Sequence, residues 1–171
     1  MNTLSRSLCL IKPDAVRRGL TGEIIRRIEN TGLRIAGIKL VRPDRTHAEQ
    51  HYAYDDIAVR HGEMVWRALT DFLSSGAVIA LVVEGVAAVE NMRRLCGSTE
   101  PSKAMPGTIR GDFSHHDFPW AGAAGCAIRN VIHASSSDAE AAKEIAIWFE
   151  PDEIVDYRRS DASEHLLDEP G

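Results

Sequence analysis

A chain of 171 residues with a formal charge of −5 is long enough to bury one core without disulfides or metals, and its 44% hydrophobic and 26% charged residues are those of an ordinary globular domain. The acidic balance speaks against a protein that coats nucleic acid, and no uninterrupted apolar run is long enough to cross a membrane. Cys9, Cys96 and Cys126 lack a CxxC pair and imply no disulfide or zinc framework, and the polar start Met1–Ser7 leads into no signal-peptide core; both point to a reducing, cytoplasmic setting.

The first element is a buried strand, Leu8–Ile11, ended by Lys12-Pro13-Asp14, which puts Lys12 at a strand end. Thr21 is positioned to cap a helix over about Gly22–Thr31, with Ile24, Ile25 and Ile28 at helical spacing and Gly32 just past its end. Leu33–Val41 alternates imperfectly and reads as a strand with a bulge at Gly37. Thr46-His47-Ala48-Glu49 has the form of a capping box opening a helix that carries Tyr52. Met64, Val65, Ala68, Leu69, Phe72 and Leu73 mark a second helix, stopped by Ser75-Gly76, so the pair makes a helical hairpin.

Ala77–Val83 reads as another buried strand, and Val86, Val89 and Met92 as one face of a helix whose exposed side carries Arg93 or Arg94. A Gly-, Pro- and Ser-rich loop spans Gly97 to about Gly125, and a loop of that length in a compact domain is usually put to use. Val131 and Ile132 form a short strand ahead of His133. Ser137-Asp138-Ala139-Glu140 is a second capping box, opening a helix lined by Ala141, Ile145, Trp148 and Phe149. Without the hairpin the order is βαββαβ, an α+β fold of ferredoxin-like type with a four-stranded antiparallel sheet over residues 1–157; residues 158–171 read as a polar C-terminal tail.

Lys12, Arg93, Arg94, Arg110 and Arg129 all fall at element ends or in the long loop, where side chains can converge on an anion. Pro106-Gly107-Thr108-Ile109-Arg110-Gly111-Asp112-Phe113 sets two glycines around one arginine, either an ordinary turn or a place where backbone amides and a guanidinium approach phosphate. His133 stands at a strand end before the small residues Ala134-Ser135-Ser136-Ser137. An imidazole there serves packing or attacks phosphorus, and Glu144 on the next helix is placed to bond the far ring nitrogen. His115-His116-Asp117 offers metal-binding side chains, but adjacent loop residues seldom converge on one ion.

These pieces, in this chain order, resemble the nucleoside diphosphate kinase family from Leu8 to Tyr157. The matching runs are Ile11-Lys12-Pro13-Asp14 with Arg18-Gly19-Leu20 and Gly22-Glu23-Ile24, His51-Tyr52, Gly97-Ser98-Thr99-Glu100-Pro101, and Pro106–Phe113. Arg129-Asn130-Val131-Ile132-His133-Ala134-Ser135, Lys143-Glu144-Ile145 and Trp148-Phe149 complete them. The resemblance implies transfer of a terminal phosphate between nucleoside tri- and diphosphates by a ping-pong route through phosphorylated His133. It implies that Lys12 and Tyr52 hold the transferring phosphate, Arg93, Thr99 and Arg110 the diphosphate, and Asn130 the ribose. Ser135 and Glu144 would orient His133, with Mg²⁺ carried mainly by nucleotide phosphates and no metal site of the protein's own. A homo-oligomer, hexamer or tetramer, is implied as well.

This sequence departs from the family spacing in two places. Ser114–Gly125 carries about ten extra residues between two active-site motifs, and a shorter excess between Tyr52 and Ser75 obscures the aromatic that stacks on the base, aligning Val65 there beside Trp66. Counting back from Gly97 favours Arg93 over Arg94 for the diphosphate. Two other readings share the element order: an RNA-binding domain, disfavoured because Leu8–Ile11 and Ala77–Val83 carry no aromatic, and a catalytically weak nucleotide-binding regulator or scaffold.

Overall fold

The computed structural model describes residues 4–166; of the polar ends read from the sequence, Met1–Thr3 and 167–171 lie outside them. β1 (Leu4–Ile11) leads into a one-turn helix α1 (Pro13–Arg17), then α2 (Thr21–Glu29) and β2 (Arg34–Val41). Three helices follow, α3 (Arg45–His51), α4 (Tyr54–His61) and α5 (Glu63–Ser74), before β3 (Val78–Val86) and α6 (Ala88–Cys96). α7 (Ile109–Phe113) and α8 (Phe118–Ala123) precede β4 (Ile132–Ala134), α9 (Asp138–Trp148) and α10 (Ala162–His165).

The strands lie in the order β2-β3-β1-β4 and every neighbouring pair is antiparallel, the ferredoxin-like arrangement expected from the element order. Alternation along β1 and β3 divides the core between the two faces of the sheet. Cys9, Ile11, Ile79, Leu81 and Val83 pack under α2 and α6. Leu8, Leu10, Val78, Ala80 and Val82 pack under α3, α5 and α9, with Tyr52, Trp148 and Phe149. β1 begins four residues before its apolar run because β3 pairs with its whole length, Leu4 opposite Val86 to Ile11 opposite Ile79. Arg6 meets Glu84 across that ladder at 2.7 Å, so a polar stretch gains a cross-strand partner. The bulge expected in β2 lies between Ile35 and Gly37.

Several local expectations are corrected. Val86 belongs to β3 rather than to the face of α6. Asp44, not Thr46, caps α3: its carboxylate accepts from the His47 backbone N–H at 2.8 Å, the helix has already begun at Arg45, and Glu49 pairs with Arg45. Tyr52 lies just past the end of that helix. The hairpin is three helices, because α4 buries no residue and so shows no apolar stripe, and Gly62, at φ +91°, separates it from α5. Ser137 caps α9 as expected, accepting from the Glu140 N–H, but the Glu140 carboxylate takes the N–H of Ser136 instead of Ser137.

The long loop is also more structured than its composition suggests. It contains a 3-10 turn at Pro101–Lys103, α7 capped by Thr108 and α8 capped by Asp117, all too short to show a period. Gly111 lies within α7 because a Cβ there would come within 2.2 Å of the Met105 carbonyl oxygen. α8 occupies half of the extra segment. Its start is tied to the 99–103 stretch, with the Phe118 N–H bonded to the Glu100 carboxylate at 3.1 Å and the Ser102 N–H to the His116 carbonyl. Beyond residue 154 the chain runs back along β2: the Val155 N–H bonds the Ala36 carbonyl, Arg34 holds Asp156, and Arg159 bonds the Leu33 carbonyl.

Candidate active site

β4 pairs with β1 for three residues, setting His133 opposite Leu10 and two positions from the strand end that carries Lys12. The ring of His133 is held from behind. Its Nε2 lies 2.7 Å from Glu144 Oε1, while Ser135 Oγ donates to Glu144 Oε2 at 2.5 Å and accepts from the Leu8 N–H at 3.1 Å. A carboxylate accepts only, so Nε2 carries the proton and Nδ1 keeps its lone pair. Burial first and the Lys12 cation second, with Arg110 and Arg93 behind them, hold the His133 pKa down at about 3, and the ring is neutral at physiological pH. Burial raises the carboxyl of Glu144, against the pull of His51 and the Ser135 hydroxyl.

The other side of the ring is cationic. Lys12 is almost wholly buried and donates from Nζ to Asn130 Oδ1 at 2.8 Å; burial, then Arg110, lower its pKa to about 8. The Asn130 amide donates in turn to the Thr99 carbonyl at 2.9 Å, which ties the strand end to the loop bearing the exposed Thr99 side chain. Arg110 is buried, with its terminal nitrogens on the Gly97 and Ile132 carbonyls at 2.7 and 2.8 Å, and its Nε is unpartnered. The exposed Arg93 acts electrostatically on both His133 and Arg110, whereas Arg94 bonds Asn91 on its own helix. Tyr52 is buried with its ring 4.6 Å from that of His51, and burial pushes its hydroxyl up so that it stays a neutral phenol.

Two positions had drawn no role from sequence reasoning. The Ile132 N–H bonds the Asn130 carbonyl at 2.7 Å around Val131, whose φ is +61°, so the chain makes a tight three-residue turn in a region costly for a β-branched residue. Asp14 holds that turn, its Oδ2 accepting from the Val131 N–H at 3.1 Å. His51, behind the site, stands edge-on to His133 with ring centroids 4.6 Å apart. Both residues lay within quoted motifs, but their partners are more than 80 residues away along the chain, and no spacing signal links them.

Other candidates are placed elsewhere. Arg129 lies over the Phe72 ring at 3.8 Å, and its backbone N–H bonds His116 Nδ1. His116 stacks against Trp120, and Asp117 caps α8, so His115-His116-Asp117 does not converge on an ion. Trp66 is turned inward, its indole N–H on the Tyr52 carbonyl and its ring against Tyr54; Val65 remains half-exposed. Among the described residues, the group with metal-ligand chemistry is His51, His133 and Glu144, their atoms within 4.8 Å of one another. Within that group His133 Nε2 and Glu144 Oε1 already bond one another, and His51 Nδ1 accepts from the Trp148 indole N–H at 3.3 Å. The geometry is that of an oriented imidazole beside a cluster of cations.

The sequence model of the family described as nucleoside diphosphate kinase matches residues 5–154. The nucleoside diphosphate kinase of Borreliella burgdorferi is 50% identical over 162 residues, 95% of this chain and 97% of that one. That of Pyrococcus furiosus is 46% identical over 157 residues, 92% and 90% of the two chains. Among solved structures, the Borrelia burgdorferi enzyme, described as a transition-state mimic with bound vanadate and ADP, superposes with a TM-score of 0.93 at 50% identity over 95% and 96% of the chains. An NDP kinase from Pyrobaculum aerophilum gives 0.82 at 33% identity over 90% and 100%. With a four-stranded sheet that carries a partly buried, hydrogen-bonded histidine beside a cluster of cations, this chain belongs to the nucleoside diphosphate kinase family.

Proposed function

We propose that the chain moves the γ-phosphoryl group of a nucleoside triphosphate to a nucleoside diphosphate in two displacements at His133, supplying CTP, GTP, UTP and their deoxy counterparts. The observation that carries this is the fixed Nε2–H to Glu144 bond, which leaves Nδ1 as the attacking nitrogen of a neutral ring. Nδ1 bonds to phosphorus as the bond to the leaving diphosphate oxygen breaks. Because Nε2 keeps its hydrogen, the phosphorylated ring is cationic, and the Glu144 carboxylate balances it. In the second half a terminal oxygen of the acceptor attacks phosphorus, and His133 leaves as neutral imidazole with no proton transferred.

Lys12 and Arg110 face the transferring phosphate and the diphosphate, Arg93 and Thr99 complete that cradle, Tyr52 positions the transferring group and Asn130 meets the ribose. Such transfer needs alignment and charge more than further chemistry from the protein. Mg²⁺ fits this site as cargo of the nucleotide: Glu144 is committed to His133 and Ser135, Asp14 holds the Val131 N–H, and cations line the rest. Bound there, the ion neutralises phosphate oxygens.

A homo-oligomer, hexamer or tetramer, is supported by the edge strand β2, which leaves Ile38 and Leu40 more than half exposed. Three free cysteines suit a reducing cytoplasm. No helix among the described residues is long and apolar enough to cross a membrane.

The test incubates the purified protein and a His133→Ala variant with Mg²⁺ and γ-labelled ATP, then adds unlabelled GDP. An acid-labile, alkali-stable label that needs His133 and passes to GDP is expected. A folded protein that takes no label and makes no GTP would overturn the two-step reading in favour of a nucleotide-binding scaffold.

A further inference from the structure

His51 closes α3 with its side chain fully buried, in contact with both members of the His133–Glu144 pair. Its ring edge meets the His133 ring at 88° with centroids 4.6 Å apart, and its Nδ1 lies 3.6 Å from Glu144 Oε1, the same oxygen that bonds His133. A protonated Nδ1 would therefore compete with His133 for that carboxylate. The competition is prevented from a third element. Trp148, the last residue of α9, donates its indole N–H to His51 Nδ1 at 3.3 Å. Indole nitrogen only donates, so the nitrogen it meets must hold a lone pair.

We infer that Trp148 and His51 form a positioning pair: the indole N–H holds the hydrogen of the neutral His51 ring on Nε2, and that ring braces His133 while leaving Glu144 to it alone. The inference rests on the two-displacement reading above, because the cationic phosphorylated ring is the state that most needs the full Glu144 charge. The groups facing His51 act in both directions. His133 from β4, Lys12 from the end of β1 and His47 from its own helix disfavour a proton on it, while Glu144 from α9 favours one; burial outweighs all of them and pushes its pKa well down. The His51 Nε2 is buried and unpartnered, so its hydrogen gains no bond that would select this tautomer, and the selection falls to Trp148.

Trp148→Phe keeps an aromatic in the core but removes the donor. His51 is then free to carry its hydrogen on Nδ1, where it donates to Glu144 and takes that carboxylate from His133. The expected result is a fall in kcat of about tenfold at an unchanged KM, with the His51 imidazole nitrogen shifts moved to those of the Nδ1–H tautomer. Adding His51→Phe to that variant removes the competing N–H and restores most of the lost kcat. A Trp148→Phe kcat within about twofold of the parent, or a loss that persists in the double variant, overturns the inference. Imidazole nitrogen chemical shifts in the unaltered protein test the same point without any variant: His51 must appear as the Nε2–H tautomer at neutral pH, and an Nδ1–H or a cationic ring sinks the idea. The two readings fail separately, since absence of label on His133 breaks the two-step reaction while the His51 tautomer is read in the resting protein.

Discussion

The two sides of the His133 ring are built on opposite principles. Behind it, Glu144, Ser135, His51 and Trp148 are buried and joined by hydrogen bonds, so the ring nitrogen facing them has one partner and one protonation state. In front, Lys12 and Arg110 are buried cations braced by neutral groups alone, an Asn130 side chain and two backbone carbonyls. The back fixes orientation, and the front concentrates positive charge, with Asp14 the acidic group acting on Lys12. Charge in front also lowers the proton affinity of the ring, so the cationic side helps keep the imidazole neutral.

The strongest way to break the contrast removes the ring itself. His133→Ala is expected to abolish the phosphoenzyme and lower kcat on the order of 10⁴-fold or more, measured by label transfer and steady-state rates. Lys12→Gln, on the front, lowers kcat about 10²- to 10³-fold with the fold intact by circular dichroism. Because Lys12 carries its charge only below about pH 8, kcat/KM of the free enzyme falls as pH rises through that value, and Lys12→Arg flattens this alkaline limb. A limb unchanged in Lys12→Arg assigns it to another group.

Smaller changes sharpen the comparison. Glu144→Gln keeps the shape of the back but not its charge, and costs about 10²-fold in kcat with little change in KM. On the front, Arg93→Ala raises the KM for nucleotides about tenfold while Arg94→Ala stays within about twofold; equal effects would return Arg94 to the site. Stability carries the weakest signature. His133 and His51 both have depressed pKa values, so the unfolded chain binds protons that the folded one refuses. Stability is then lost as pH falls below about 6.5, by up to about 1.4 kcal/mol per pH unit for each ring. Thermal melts of a His51→Phe variant should show a shallower slope over that range.

Much of this could be read from the chain. The unbroken apolar runs of β1 and β3 and the isoleucines of α2 carry their structure locally, whereas of Val131 and Ile132, read together as strand, only Ile132 lies in β4; the motif residues Lys12, Tyr52, Arg93, Thr99, Arg110, Asn130, Ser135 and Glu144 all lie around His133 or in the loop tied to it. What escaped was short or unpatterned. α4 buries nothing, α7 and α8 are barely more than one turn each, and Asp44 caps α3 two residues ahead of a sequence that imitates a capping box better. The tight turn at Val131 escaped as well, because a positive φ at a β-branched residue is the opposite of local preference and persists only where Asp14 and the pairing of β4 hold it.

By itself the sequence determined the order of the strands and of the longer helices, and the motif residues that gather around His133, since these follow from apolar patterning and from residue chemistry. Only the tertiary structure decided which nitrogen of His133 meets Glu144, which group His51 Nδ1 accepts from and why Lys12 titrates low. Those properties arise where side chains 118 and 97 positions apart meet, as Lys12 meets Asn130 and Trp148 meets His51. There burial removes the water that would otherwise have levelled their protonation states.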